Sequence, residues 1–284
     1  MITPAVNPAD ETRMVRARGQ HLRVSIRHGD GVPLVLCNGI GAGLEVLDPL
    51  VEHLGARRTL IRFDAPGVGA SPNSRLPYGF PYLARVVGRM LDTLGYERVD
   101  MLGYSWGGAL AQQFAFQNPR RCRHLVLAAT ATGVLMVPAR PSVLTKMLTP
   151  RRFVDRDYLA SIAATIYGGS TDYGNADITQ IVGHQLAAGS RRGYLYQLLA
   201  GAVWSSLVAL PAIHQPTLIV AGTDDPIIPI INAHIMARLL PHATLHTHPG
   251  GHVDLLTNAT TLGPIIDDFL STVNGPRTSR HDQS

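Results

Sequence analysis

Short runs rich in Val, Leu and Ile recur along the chain and alternate with longer segments of helical periodicity. Clusters of Gly and Pro separate the runs, which begin at His21, Pro33, Thr59, Val99, His124, Pro216 and Ala243. The later runs lack strict polar–apolar alternation, which is typical of parallel strands covered by helices on both faces. The pattern therefore predicts an α/β protein with a mostly parallel, doubly wound sheet.

Apolar positions three and four residues apart predict helices between these runs. The predicted helices span Tyr82–Leu94, Trp106–Gln117, Ile230–Leu240 and Thr260–Val273. A further stretch, Gly193–Leu210, carries no charge and nearly reaches the length that crosses a bilayer. Its polar residues, Gln197 among them, and its leucines at helical spacing instead predict an amphipathic helix over Leu195–Leu210 and no membrane span.

The alternation of strands and helices stops between residues 132 and 212. This interval contains helical patches and no clear strand, so we predict a helical cap inserted after the sixth core strand and call it the cap segment. The flanking residues 1–131 and 213–273 are predicted to form one core, and the polar residues 274–284 a flexible tail. A cap at this place covers the carboxyl ends of the strands, where open α/β sheets bind ligands.

Composition narrows the classes of function. The 284 residues include 25 Lys and Arg against 20 Asp and Glu, a net charge of +5 that lies mostly in the cap segment. No basic patch interleaved with aromatic residues accompanies this charge, so we predict no nucleic-acid partner. Cys37 and Cys122 are expected to be buried free thiols. The N-terminal segment lacks the apolar region of a secretory signal, which predicts a cytoplasmic protein.

The sequence GYSWGG, which starts at Gly103, contains the most specific chemical motif. Gly103, Ser105 and Gly107 fit the pattern G-x-S-x-G, with a strand candidate before the motif and a helix candidate after it. In that context the serine lies on a sharp strand-to-helix turn with its hydroxyl exposed, and the glycines leave room for close backbone contacts. An ordinary glycine-rich turn with an incidental serine fits this context less well. Ser105 is therefore the candidate nucleophile.

A serine nucleophile needs a base to take its proton and a carboxylate to orient that base. For a nucleophile on this type of turn, the carboxylate and then the base follow later in the chain. Asp224 and Asp225 follow the strand candidate at Pro216, and either carboxylate fits the role. We favour Asp225, because the adjacent Pro226 restricts the loop.

Five histidines follow the acid before the tail: His234, His242, His246, His248 and His252. His252 comes after the sequence PGG, just past the last strand candidate, in a loop that reaches the sheet edge where Ser105 lies. It is therefore the candidate base. The spacing of His246, His248 and His252 also fits metal ligands, but no Cys, Asp or Glu cluster accompanies them, so no metal is predicted.

The negative charge that develops on a substrate oxygen needs hydrogen-bond donors. One candidate donor is the backbone N–H of Trp106, directly after the nucleophile, and the other comes from the loop after the third strand. That loop is CNGIGAG, starting at Cys37, and its candidate donor is Ile40. The sequence DAPGVGAS, starting at Asp64, lacks the G-K-[ST] ending of a P-loop, so it predicts a turn and no nucleotide cofactor.

Several stretches together resemble the α/β-hydrolase superfamily and, within it, the intracellular depolymerases of medium-chain-length polyhydroxyalkanoates. They are NGIGAG, DAPGVGAS, GYSWGGALAQQFA, LVLAATATGVLMVP, TPRRF, TIYGG, QPTLIVAGTDDPIIP and GGH. The resemblance implies an α/β-hydrolase fold and a cytoplasmic serine esterase that cuts ester bonds between 3-hydroxyacyl units at the surface of storage granules, without a cofactor. It also implies Ser105 as nucleophile, Asp225 as orienting acid and His252 as base, with Asn38 in place of the His of a common HG motif.

We therefore predict a serine-dependent carboxylic ester hydrolase that acts on a hydrophobic ester, with a polyester granule as the surface it meets. The amphipathic helix at Leu195–Leu210 predicts a hydrophobic acyl site that prefers medium chains over acetyl. Asn38, Leu199 and Trp204 are the candidate substrate-binding residues. No oligomeric state is predicted.

Other functions are compatible with the same fold. Small-molecule carboxylesterases and lipases, carbon–carbon bond hydrolases and perhydrolases share the three catalytic residues, so the sequence leaves them open. Haloalkane dehalogenases and epoxide hydrolases use an Asp nucleophile, and Ser105 argues against them. A non-catalytic granule- or ligand-binding protein on this fold is expected to have a broken triad, whereas all three positions are filled here.

Overall fold

The computed structural model describes residues 10–55, 58–148, 156–168 and 190–272. Within them, eight strands form one sheet in the order β1-β2-β4-β3-β5-β6-β7-β8. The strands are β1 Glu11–Ala17, β2 Gln20–Arg27, β3 Asp30–Cys37, β4 Arg58–Phe63, β5 Val99–Tyr104, β6 Cys122–Ala128, β7 Thr217–Gly222 and β8 Ala243–His248. β2 pairs antiparallel with β1 and β4, and every other neighbouring pair is parallel. The mostly parallel sheet predicted from the hydrophobic runs is confirmed.

β1 was not among the predicted strands. Only two of its seven residues, Val15 and Ala17, are buried, so it shows no continuous hydrophobic run. It pairs with β2 across the two-residue turn Arg18-Gly19, in which both residues have positive φ angles, 47° and 79°. Such a turn is typical of a tight hairpin, although Arg is an uncommon residue for its first position. With β1 counted, the run at His124 is the sixth strand of the chain.

The helices of the described residues are α1 Asp48–His53, α2 Phe80–Leu94, α3 Trp106–Gln117, α4 Pro141–Leu148, α5 Arg156–Tyr167, α6 Arg191–Ala202, α7 Ile231–Leu239, α8 Asp254–Thr257 and α9 Ala259–Ser271. The four predicted core helices are confirmed as α2, α3, α7 and α9, with ends that differ by at most two residues. Residue 273 and the predicted tail 274–284 lie outside the described residues.

Alternate residues of the central strands enter two hydrophobic clusters on opposite faces of the sheet. In β3, Val35 and Cys37 join the cluster that contains α2 and α3, whereas Leu34 and Leu36 join the cluster that contains α1 and α9. Both faces of these strands are therefore buried, which explains the absence of polar alternation in their sequences. Cys37 and Cys122 are free and buried, as expected.

The helix predicted over Leu195–Leu210 differs from the observed α6 in its bounds and in the face that it buries. α6 ends at Ala202, and its buried residues are Gly193, Gln197 and Ala200. Three leucines of the predicted apolar face, Leu195, Leu198 and Leu199, are instead 51%, 43% and 44% exposed; we call them the outer leucines.

Close backbone packing explains the orientation of α6. Gly193 lies against the backbone of Gly67, and a side-chain carbon at position 193 would collide with that backbone. Only the glycine face of the helix can approach the loop so closely, so the leucines turn outward. In the described part of the chain, none of the helices is long and apolar enough to cross a membrane.

A buried carboxylate joins the start of β5 to β6. Asp100 is fully buried, and it accepts hydrogen bonds from the Arg123 guanidinium, at 2.8 Å for Nε, and from the backbone N–H of His124, at 3.0 Å. Burial alone raises the pKa of Asp100, but the bonds from Arg123 and His124 outweigh it and hold the pKa below its usual value. Arg123 also donates to the carbonyl oxygen of Leu270 at 2.9 Å, which ties α9 to the sheet.

Replacing Asp100 with Asn is expected to lower the free energy of unfolding at neutral pH by roughly 3 kcal/mol, because Arg123 loses its charged partner. Since the folded-state pKa is lowered, the ionised carboxylate stabilises the fold above the unfolded-state pKa, and this contribution is lost as the pH falls through the folded-state pKa. Urea unfolding at pH 7 and at about pH 3 should therefore show that the difference in the free energy of unfolding between variant and wild type is smaller at the acidic pH.

Asp92→Asn is the control, because Asp92 pairs with Arg121 at the surface and is 46% exposed. Such a pair contributes less than about 1 kcal/mol. An Asp100→Asn variant with the same stability loss as Asp92→Asn, or with a loss that does not change with pH, would contradict this account.

Candidate active site

Ser105 lies on the turn between β5 and α3, in an unusual backbone conformation. Its φ and ψ angles are 53° and −118°, a region that costs a non-glycine residue about 1–3 kcal/mol. Two hydrogen bonds hold the turn: the Ser105 N–H donates to the Ala128 carbonyl at 2.9 Å, and the Thr130 hydroxyl donates to the Ser105 carbonyl at 2.7 Å. β6 and the residues after it therefore hold the strained turn in place.

The turn brings the start of α3 against the loop that follows β3. A side-chain carbon at Gly107 would collide with the backbone of Cys37 and Asn38, so only glycine permits this contact. A carbon added to Gly39 would lie 3.8 Å from the Ser105 Cβ. The loop CNGIGAG is thus placed directly beside the candidate nucleophile.

Ser105, His252 and Asp225 form one chain of hydrogen bonds. His252 Nε2 lies 3.0 Å from Ser105 Oγ, and His252 Nδ1 lies 2.8 Å from Asp225 Oδ2. Asp225 and His252 are each 6% exposed, and Ser105 is partly exposed. The structure therefore brings together the three side chains that the motif spacing selected, in contact distances suited to proton transfer from the serine to the imidazole.

Backbone contacts support both partners of Ser105. The second Asp225 oxygen accepts the N–H groups of Ile227 and Ile228 at 2.9 and 2.8 Å, which fixes the carboxylate. The His252 N–H donates to the carbonyl of Tyr167, the last residue of α5, at 2.7 Å. The His252 carbonyl accepts the Tyr104 hydroxyl at 3.1 Å. Burial raises the pKa of Tyr104, so this hydroxyl keeps the proton that it donates.

The other candidates for acid and base lie elsewhere. Asp224 is exposed, as are His234 and His242. The rings of His246 and His248 stack on each other with centroids 6.4 Å apart. In the described ranges, no group of three or more His, Cys, Asp or Glu side chains is arranged to hold a metal ion.

The candidate oxyanion donors are the N–H of Ile40, in the loop beside Ser105, and the N–H of Trp106, the residue directly after it. Within the described residues neither N–H donates to another backbone or side-chain group. Asn38, expected to bind substrate, instead bonds its own loop: its amide donates to the Gly43 carbonyl at 2.5 Å and accepts the Gly39 N–H at 2.8 Å. Asn38 therefore shapes the loop that carries Ile40, although it also borders the pocket described next.

A small pocket with both polar and apolar lining lies beside the turn that carries Ser105. It is lined by Asn38, Gly39, Ala42, Phe63, Ala65, Trp106, Leu110 and Gln197. The sequence does not predict Gln197 of α6 as a site residue, because its polarity there indicates only that the helix is not a membrane span. An uncharged polar residue inside an apolar helix stretch was the available signal.

The structure places Leu199 and Trp204 away from this pocket. Leu199 is one of the outer leucines. Trp204 is buried, its ring packs on Phe80 with centroids 4.9 Å apart, and its indole N–H donates to Gln113 Oε1 at 2.6 Å. The glycine packing of α6 turns Leu199 outward, whereas Trp204 follows the end of α6 and is buried against Phe80.

The fold and this arrangement agree with comparisons to known proteins. A family model of the α/β hydrolase fold matches residues 32–259, and the chain therefore belongs to the α/β hydrolase family. The poly(3-hydroxyalkanoate) depolymerase of Ectopseudomonas oleovorans is 46% identical over 260 residues, which cover 91% of this chain and 92% of that protein. The resemblance stated from the sequence motifs is thereby confirmed.

More distant relatives share the fold. The 3-oxoadipate enol-lactonase 2 of Acinetobacter baylyi is 27% identical over 252 residues, 86% of this chain and 91% of that protein. The crystal structure of the enol-lactonase from Burkholderia xenovorans LB400 has a TM-score of 0.77 at 22% identity and covers 92% of this chain and 100% of that one. An esterase from Exiguobacterium antarcticum has a TM-score of 0.79 at 19% identity and covers 91% and 99%.

Proposed function

We propose that the protein is a serine-dependent carboxylic ester hydrolase. The observation that carries the proposal is the hydrogen-bond chain from Ser105 Oγ through His252 to Asp225, at 3.0 and 2.8 Å. The loop after β3 lies beside Ser105, and within the described residues the candidate donors, the N–H groups of Ile40 and Trp106, donate to no other group, which supports an acyl-transfer reaction. The names of the depolymerase and lactonase relatives point to the same bond type.

In the first half of the proposed reaction, His252 Nε2 removes the Ser105 proton while Ser105 Oγ attacks the ester carbonyl carbon. The Asp225 carboxylate, held by two backbone N–H groups, keeps the imidazole oriented and stabilises its positive charge. The Ile40 and Trp106 N–H groups bind the oxyanion of the tetrahedral intermediate. The carbon–oxygen bond to the alcohol then breaks, His252 returns the proton to the departing alcohol oxygen, and an acyl-enzyme remains.

In the second half, a water molecule takes the place of the alcohol. His252 removes a proton from the water, the hydroxyl oxygen attacks the acyl carbon, and the bond to Ser105 Oγ breaks as that oxygen regains its proton. The carboxylic acid is released. Every group in this proposed cycle comes from the chain itself or from water.

We further propose that the substrate is a poly(3-hydroxyalkanoate) or a related medium-chain hydroxyacyl ester, met at a granule surface in the cytoplasm. Two observations support this choice: the 46% identical depolymerase and the outer leucines, which form an exposed apolar face on α6. Residues 132–212 then act as the cap over the site. A small-molecule carboxylesterase is the second candidate, because one relative is named a 3-oxoadipate enol-lactonase.

Replacing Ser105 with Ala is expected to lower kcat for p-nitrophenyl octanoate by at least about 10⁴-fold, because the nucleophile is lost. The variant should also fail to react with a fluorophosphonate probe, which labels only an activated serine. Ser206→Ala serves as the control, since that buried hydroxyl donates to Gln112 Oε1 and lies outside the proposed triad. Labelling that persists in Ser105→Ala would assign the nucleophile to another residue.

Replacing Tyr104 with Phe is expected to lower kcat by roughly tenfold with little change in KM, because the His252 backbone loses the hydroxyl that fixes it and the imidazole is less well placed. The lost hydrogen bond should also cost about 1 kcal/mol of stability. Tyr78→Phe is the matched control, because the buried Tyr78 hydroxyl donates to the Pro66 carbonyl at 3.0 Å. Equal kcat losses in the two variants would reject a positioning role for Tyr104.

Replacing all three outer leucines with Ser is expected to slow the hydrolysis of polyhydroxyalkanoate granules, measured as the rate at which their turbidity falls, by roughly tenfold or more. The reason is that apolar contact area at the granule surface is lost. Hydrolysis of the soluble ester should stay within about twofold of wild type. Phe116→Ser is the control, since Phe116 is 44% exposed near the far end of α3 from Ser105.

Two results would contradict the granule proposal. Equal effects of the triple variant on granules and on soluble ester would remove the outer leucines from granule contact. Wild-type enzyme that hydrolyses the soluble ester but leaves granules intact would favour the small-molecule carboxylesterase.

A further inference from the structure

One residue of α6 contacts both segments that supply the proposed oxyanion donors. Gln197 is 1% exposed. Its side-chain Oε1 accepts the Gly41 N–H at 2.6 Å, and its backbone carbonyl accepts the Trp106 indole N–H at 3.0 Å. Gly41 directly follows Ile40, so Gln197 bonds to the neighbour of one proposed donor and to the side chain of the other.

The contact with Gly41 completes a set of bonds around the Ile40 N–H. The Ile40 N–H belongs to the peptide group between Gly39 and Ile40. The peptide group before that one is held because the Gly39 N–H donates to Asn38 Oδ1, and the peptide group after it is held because the Gly41 N–H donates to Gln197 Oε1. The carbonyl of the Ile40 unit itself, on Gly39, accepts the Ala42 N–H at 3.3 Å. Because the N–H and C=O of a trans peptide point in opposite directions, these bonds together set the direction of the Ile40 N–H.

The loop needs such a clamp because its own sequence leaves it free to move. It contains glycines at positions 39, 41 and 43, and Gly41 has a φ of 70° that favours glycine. An oxyanion hole stabilises a transition state only when its donors are already oriented. Asn38 belongs to the loop and moves with it, whereas Gln197 belongs to a separate helix.

α6 is itself fixed close to this point. The Ser190 N–H donates to the Gly67 carbonyl at 3.0 Å, and Gly193 packs against the Gly67 backbone. Gln197 lies one helical turn beyond Gly193, on the same buried face. The core loop at Gly67 therefore positions α6, and α6 in turn positions the Gln197 amide.

We infer that Gln197 is a positioning residue that orients the oxyanion-hole loop from the cap segment, so that the hole is complete only while α6 is docked on the core. The inference rests on the proposed hydrolase function and extends it. Gln197 forms a hydrogen bond with neither Ser105 nor His252 in the described structure. Replacing Gln197 should therefore affect mainly the transition state, because the hydrogen bonds from the Ile40 and Trp106 N–H groups to the substrate oxygen strengthen most when the oxyanion forms.

The test compares two glutamines that each accept a hydrogen bond across the boundary between core and cap segment at 2.6 Å. Gln197 Oε1 binds the oxyanion loop, whereas Gln113 Oε1, two turns into α3, binds the Trp204 indole. Methionine at either position keeps the length of the side chain and removes the strong acceptor. The assays are kcat and KM for p-nitrophenyl octanoate, the dissociation constant of an alkylboronic acid, and the thermal unfolding midpoint.

Gln197→Met is expected to lower kcat by about 10- to 100-fold, with KM within about threefold of wild type. Affinity for the boronic acid, whose adduct with Ser105 places an oxygen in the hole, should fall by a similar factor. Gln113→Met should lose comparable thermal stability and keep kcat near wild type. Gln197→Met with the kinetics and boronic-acid affinity of Gln113→Met would overturn the inference.

Gln197→Glu provides a second, independent measurement. A neutral carboxyl retains an acceptor for the Gly41 N–H, whereas the ionised form adds negative charge close to the developing oxyanion. The ratio of variant to wild-type kcat should therefore fall as pH rises, and a constant ratio would also overturn the inference. A wild-type enzyme that hydrolyses no ester and does not react with fluorophosphonate would instead refute the proposed function, which separates the two failures.

Discussion

The strained backbone of Ser105 is the constraint on which the site depends. A φ of 53° at a serine is an unfavourable backbone conformation, so hydrogen bonds and packing around Ser105 have to stabilise the turn by more than this conformation destabilises it. The end of β6 and the residues after it do this, since the Ala128 carbonyl accepts the Ser105 N–H and the Thr130 hydroxyl donates to the Ser105 carbonyl. Through Gly107, the turn brings the β3 loop into backbone contact with α3. Nucleophile and proposed oxyanion donors are thereby placed by one turn.

The parallel sheet brings the remaining groups to the same edge. Loops at the carboxyl ends of β3, β5, β7 and β8 carry Ile40, Ser105, Asp225 and His252 respectively. The last two loops are joined by backbone bonds, since the Asp224 N–H donates to the Gly250 carbonyl at 2.9 Å. Adjacent parallel strands therefore make side chains that are far apart in sequence into neighbours, and the buried Asp100 network stabilises the opposite end of β5 and β6.

Features that depend on sequence order and hydrophobic runs were predictable. The strand–turn–helix context identified Ser105, and the order of later strand-end loops identified Asp225 and His252, which the structure places in contact. β1 was missed because only two of its residues are buried. The burial of α6 was predicted wrongly, because hydrophobic periodicity reports which side chains prefer burial and not how closely two backbones approach. At Gly193 the backbone approach decides the orientation of the helix, and the leucines follow from it.

The same packing explains why the sequence pattern does not predict Gln197 as a site residue. A helix that buries its glycine face presents a different set of side chains to the core, and the residue one turn from Gly193 is a glutamine. The buried Oε1 and backbone carbonyl of Gln197 both have hydrogen-bond donors as partners, the Gly41 N–H and the Trp106 indole N–H. Leucine in that position would fill the space but leave the Gly41 N–H without its acceptor. α6 is therefore joined to the β3 loop and to α3 by a specific polar contact at the point where the reaction is proposed to occur, and its three outer leucines are left on the surface.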